Sequence, residues 1–181
     1  MISWLKRVLA RFGGGVALPE GFDGALESEE RVLASAVSAE GALVATDRGL
    51  WVPESSGPRR IGWHLLNRAV WRDGVLALTE AGEYRRVGGA VLLRDLPRRR
   101  FRLHESGRLP DVVHARVTGS IKSTQYRELS VGGARFVRRK VPGLDGTVLQ
   151  VRPDRDAEEE ALAEYAREVA RRLEQDEHGA G

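Results

Sequence analysis

Apolar runs of five to eight residues, each closed by a turn signal, follow one another from Arg31 to Glu80: RVLASAVS, ALVAT, GLWVPE, RRIGWHLL, RAVWR and VLALTE. Runs of this length, rich in branched and aromatic residues, predict consecutive antiparallel strands. Ala39-Glu40-Gly41 and Asp47-Arg48-Gly49 supply the first turns, Pro53 closes the third strand, and Asp73-Gly74 is a strong hairpin signal. In RRIGWHLL the alternation places Ile61, Trp63 and Leu65 on one face of a single strand. A further run from Tyr84 to Asp95, with a bulge or kink expected at Gly88-Gly89, completes about seven strands by residue 95.

The pattern then changes period. From Leu109 to Ile121 the apolar residues recur at three and four, and Pro110 suits a first turn, which predicts a helix. TQYRELSV, ARFVRRKV and TVLQV return to strand character. The segment from Asp154 to Glu177 predicts a long helix, with Asp156 and Glu159 as a capping box and Leu162, Tyr165, Val169 and Leu173 as its buried stripe.

At the other end, residues 1–12 form a predicted amphipathic helix. Ile2, Trp4, Leu5, Val8, Leu9 and Phe12 share one arc, and Lys6, Arg7 and Arg11 lie opposite. Such a helix can lie in a membrane interface or dock on a partner or on this protein. Residues 13–30 read as a linker, opened by Gly13-Gly14-Gly15 and interrupted by Pro19, Gly21 and Gly24.

Composition narrows the classes. With 181 residues, 41% hydrophobic and 30% charged, the chain has the make-up of an ordinary globular protein. The absence of cysteine excludes disulfides and thiolate chemistry and fits a reducing compartment. No apolar run reaches a transmembrane length and no secretory leader is evident, so a soluble, cytoplasmic protein is expected, peripheral to a membrane if the first helix acts there. Charge is uneven: residues 1–84 carry −2, residues 85–140 carry +11 and residues 141–181 carry −6. The basic middle suits an anionic partner, or the acidic C-terminal helix laid across it.

Leu43-Val44-Ala45-Thr46-Asp47-Arg48-Gly49-Leu50-Trp51, followed by Arg60-Ile61-Gly62-Trp63-His64-Leu65-Leu66, resembles the "T-x-R-x-L" hairpin and subsequent "I-P-W-x-x-I" strand of bacterial pleckstrin-homology-like and GRAM-like domains. Gly62 stands where that family usually has proline. The resemblance implies a binding scaffold over residues 31–122: a seven-stranded barrel or sandwich closed by a capping helix. The expected fold is therefore α+β, mainly β, with residues 123–181 adding a β-hairpin and a long helix to the same domain. Eukaryotic relatives bind phosphoinositides through cations around the first hairpin. Here that hairpin, Ser38-Ala39-Glu40-Gly41, has none, so lipid-headgroup recognition is not carried over to it.

No P-loop, dinucleotide fingerprint, nucleophile elbow or zinc-protease motif occurs, so neither enzyme activity nor a cofactor or metal is expected. Asp111 and His114, three apart on a predicted helix, are two groups without a third. Two sets of contact residues remain. Ile2, Trp4, Leu5, Lys6, Arg7, Leu9, Arg11 and Phe12 are candidates for a membrane or protein partner, a second copy included. Arg98, Arg99, Arg100 and Arg102, around Phe101, with Arg138, Arg139 and Lys140, are candidates for anion binding, with nucleic acid as the alternative partner. The competing reading of Arg98–Arg102 is a solvated loop leading into the helix.

Overall fold

The computed structural model describes residues 16–130 and 132–179, so the expected helix at residues 1–12 lies outside the described residues. Four strands, β1 (Val32–Ser38), β2 (Gly41–Thr46), β3 (Gly49–Val52) and β4 (Arg59–Gly62), form an antiparallel meander. Short polar side chains fix its turns. Ser38 Oγ accepts the Glu40 N–H at 3.3 Å, and Thr46 Oγ1 accepts the N–H groups of Arg48 and Gly49, each at 3.1 Å.

The run RRIGWHLL is not one strand. A 3₁₀ turn at Trp63–Leu65 ends β4 and starts β5 (Leu66–Arg72). The turn lets Trp63 drop between two sheets, where it is buried and its indole N–H donates to the Thr46 carbonyl at 3.0 Å. β5 then pairs with β6 (Val75–Val87) across a two-residue turn, Asp73 and Gly74 having φ of 50° and 74° as the primed hairpin turn requires.

β6 runs unbroken through 13 residues, where two strands and a turn were expected. Gly88-Gly89 is the tight connection to β7 (Ala90–Asp95), not a bulge. The stretch read as a solvated loop is largely a strand, β8 (Arg99–Arg102), paired with Val75–Leu78 of β6. Its single apolar residue, Phe101, explains this: the ring is buried in the core, a gain of about 1.5–3 kcal/mol. α1 (Leu109–Ser120) follows, then β9 (Ile121–Glu128), β10 (Gly133–Arg139), β11 (Val148–Pro153) and α2 (Glu159–Gly179). α2 begins beyond the expected Asp156 cap.

The second sheet has the order β5-β6-β7-β11-β10-β9, with β11 parallel to β7 and β8 joined to β6 from the side. β6 belongs to two layers. Its first half lies between β5 and β8, and Ala81–Val87 pairs with β7. One core gathers Leu43, Leu50, Trp63, Leu66, Leu76 and Phe101, with Leu109, Val113 and Val117 of α1 closing it. A second core sets Leu92, Phe136 and Val151 against Leu162, Ala163, Ala166 and Ala170 of α2, with Tyr165, Val169 and Leu173 at its margin. Between them, Ala81, Val91 and Leu93 meet Leu65 and Val148. The fold is α+β, mainly β, with a C-terminal helix, and among the described residues no helix is long and apolar enough to cross a membrane.

The lead-in is tied down by one carboxylate. The Glu30 side chain is fully buried and accepts from Thr46 Oγ1 at 2.6 Å, Trp51 Nε1 at 2.9 Å and Arg60 at 2.5 Å. Phe22 packs edge-on against Trp51 beside it.

Candidate anion-binding cleft

Alternation along β10 directs Ala134 and Phe136 toward α2 and puts Arg135, Val137 and Arg139 on the opposite face. Register does the rest. Arg135 lies opposite Arg152 of β11 and Tyr126 of β9, and Val137 opposite Gln150 and Thr124. A cleft of about 830 Å³ opens here, lined by these strands together with Asn67 of β5 and Asp95 of β7. Five arginines and three carboxylates line it.

The cations are held differently. Arg152 reaches Asp95 at 3.2 Å; burial pushes its pKa below the ordinary arginine value, Asp95 opposes that and the Arg135 charge adds to it. Arg135 is exposed, and among the described residues no carboxylate lies within ion-pair distance of it. Arg139 is 2% exposed and donates to the carbonyls of His64 at 2.9 Å, Leu66 at 2.8 Å and Val117 at 3.2 Å. Burial, helped by the Arg152 charge, lowers its pKa to about 10, so it stays cationic at neutral pH. Its counter-charge is a helix end: Val117 lies in the last turn of α1, where unpaired carbonyls concentrate negative potential. Next to it, burial and the Arg139 charge lower the His64 pKa, and among the described residues neither His64 Nδ1 nor Arg139 Nε has a hydrogen-bond partner.

The expected anion-binding residues do not form one surface. Arg99 is anchored by Glu54 at 3.1 Å and the Pro53 carbonyl at 2.6 Å, lying over the Phe101 ring. Arg98, Arg100 and Arg102 are exposed, the last donating to the Asp73 carbonyl. Arg138 points to the other side of β10 from Arg139 and donates to Thr147, and Lys140 is exposed beyond the strand end. β8 pairs with β6, whereas β10 pairs with β9 and β11, which divides the set. Arg139 is withdrawn from ligand contact by its three carbonyls. Among the described residues the acidic helix meets the basic segment at Arg85, which Glu159 and Glu160 reach at 3.6 and 3.2 Å, and not at Arg98–Arg102.

Arg152 and Asp95 were not singled out from the sequence. The available signal was the alternation of VLQVRP, which needs the β10–β11 register before it places Arg152 beside Arg135. Asp111 and His114 line a shallow hollow of about 370 Å³ beside the half-exposed Trp71 and share no hydrogen bond. Among the described residues no cluster of three histidines or carboxylates could hold a metal ion. Comparison of the chain with protein-family models, with curated proteins and with solved structures returns no match.

Proposed function

We propose that the chain is a non-enzymatic binding or adaptor module on a pleckstrin-homology-like scaffold, and that its ligand occupies the cleft over β7, β10 and β11. The observation that carries this reading is the cleft itself: about 830 Å³, a volume typical of small-molecule sites, with polar side chains presented from paired strands. The scaffold reading draws support from β1–β4 packed over β5, β6 and β8 with α1 against the same core. The first hairpin, with Glu40 and no cation, is set aside as the site. Isotope-edited NMR with a panel of small polar metabolites tests the reading. Perturbed signals gathered at Asn67, Thr124 and Tyr126 support it; no response, or one confined to β1–β4, refutes it.

Peripheral membrane attachment through Ile2, Trp4, Leu5 and Phe12 is a separate part of the proposal, motivated by the segregated pattern of residues 1–12. Liposome co-sedimentation with and without those residues decides it, and equal, negligible pelleting removes it. A second reading, nucleic-acid binding, is favoured by the exposed Arg98, Arg100 and Arg102. RNA or DNA affinity that ignores salt, or that survives their replacement by alanine, defeats it.

A further inference from the structure

Resting on the cleft as the ligand site, we infer that the ligand carries a phosphomonoester group, seated between Arg135 and Arg152. Like charges directly opposite one another on paired strands destabilise a sheet, and this pair lies across the β10–β11 register. The available carboxylates do not cancel the repulsion. Asp95 pairs with Arg152 and also accepts from Asn67 Nδ2 at 2.7 and 2.9 Å, Asp154 accepts the Tyr126 hydroxyl at 2.7 Å, and Glu159 turns to Arg85 at 3.6 Å. With five arginines against three carboxylates, the cleft keeps an excess of two positive charges, one of them on Arg135.

That excess matches a dianion. A phosphomonoester carries close to two negative charges at neutral pH and offers three acceptor oxygens, enough to engage two guanidinium forks at once. A carboxylate brings one charge and two acceptor oxygens, which a single guanidinium fork takes up. Arg139, held at the floor by carbonyls, contributes positive potential without competing for the oxygens. The concave shape favours a phosphoryl group on a small body over a nucleic-acid backbone, which needs a stripe of cations along an open surface.

The full chain is titrated at constant ionic strength with glycerol phosphate, inorganic phosphate and glycerol, followed by calorimetry and NMR. Saturable binding of glycerol phosphate but not glycerol is expected. Arg135→Gln, at an exposed position, should weaken it about tenfold, while Arg116→Gln, exposed on α1, leaves it within about twofold. Vesicles of phosphatidylcholine with and without phosphatidic acid separate the sources. Pelleting that needs phosphatidic acid and is competed by glycerol phosphate assigns a lipid headgroup; solution binding without pelleting assigns a soluble ester. Glycerol phosphate binding unchanged by Arg135→Gln overturns the inference. Glycerol binding as well as its phosphate, with signals still moving in the cleft, overturns the phosphoryl assignment but leaves the cleft as ligand site. No response at the cleft to any probe removes both.

Discussion

Replacing Arg139 by methionine should uncouple the two cores. The substitution keeps most of the side-chain bulk and deletes three hydrogen bonds that join β10 to the 3₁₀ turn, to β5 and to α1. Two of the abandoned carbonyls keep another donor: Gln150 Nε2 on His64 at 2.8 Å and Ser120 Oγ on Val117 at 2.7 Å. The side-chain deficit therefore concentrates on the Leu66 carbonyl, to which no other described side chain donates, and losing a buried donor costs about 1–3 kcal/mol. Loss of the charge-assisted bonds adds to this, and relief from burying a cation without a carboxylate subtracts, for an expected net loss of about 2–4 kcal/mol. Urea denaturation read by two probes measures it. Of the four tryptophans, Trp51, Trp63 and Trp71 lie in the stretch from β3 to β5, so in a Trp4→Phe background fluorescence reports the part of the fold built on the first core, whereas α2, the longer described helix, dominates far-ultraviolet dichroism and reports the second. The parent should show coincident transitions and the variant separated ones. A loss below about 0.5 kcal/mol with coincident transitions would refute the reasoning and leave the apolar contact of Leu65, Ala81 and Val91 as sufficient to join the cores.

Three more outcomes are expected. Glu30→Ala strands the Thr46, Trp51 and Arg60 donors and should cost about 3–5 kcal/mol by urea denaturation, with a shift in tryptophan emission; a loss under about 1 kcal/mol would contradict the network's role. His64 has a folded pKa depressed below 6.5, so the folded state binds fewer protons than the unfolded one in the window beneath that value: its contribution is complete above 6.5 and is lost as pH falls. Stability measured across that window should fall less steeply in His64→Gln, and parallel profiles would sink the assignment. Gly74→Val forces a branched residue to φ near 74° and should lower stability by about 1–2 kcal/mol, whereas Asp73→Asn, tolerant of the same region, should change it little.

Local signals carried much of the architecture. The Asp73-Gly74 hairpin, the meander from Val32 to Val52, the helix from Leu109 and the stripe of Leu162, Tyr165, Val169 and Leu173 are each set by neighbours in the chain and were legible. Two misreadings share a physical cause. RRIGWHLL alternates like a strand, yet Trp63 must cross between sheets, and only the second sheet makes that turn favourable. RRRFR, Arg98 to Arg102, resembles a solvated loop because four arginines outweigh one phenylalanine until β6 offers Phe101 a core. The cleft was harder still. Arg135, Arg152 and Asp95 come together only through the pairing of β10 with β11 and of β11 with β7, which no local periodicity encodes.

The parallel pairing of β7 with β11 joins segments about sixty residues apart, so during synthesis the apolar side of the β6–β7 hairpin emerges long before anything exists to cover it. Leu92 and Ala90 wait for Val151 and then for the alanine face of α2, among the last parts of this sequence to be made. Because β6 passes unbroken from one layer to the other, the first core cannot be finished and released independently of that exposed hairpin. Shortening the sequence before Val148 should therefore yield aggregation, not a smaller folded protein, and the nascent chain should depend on the speed of its own completion.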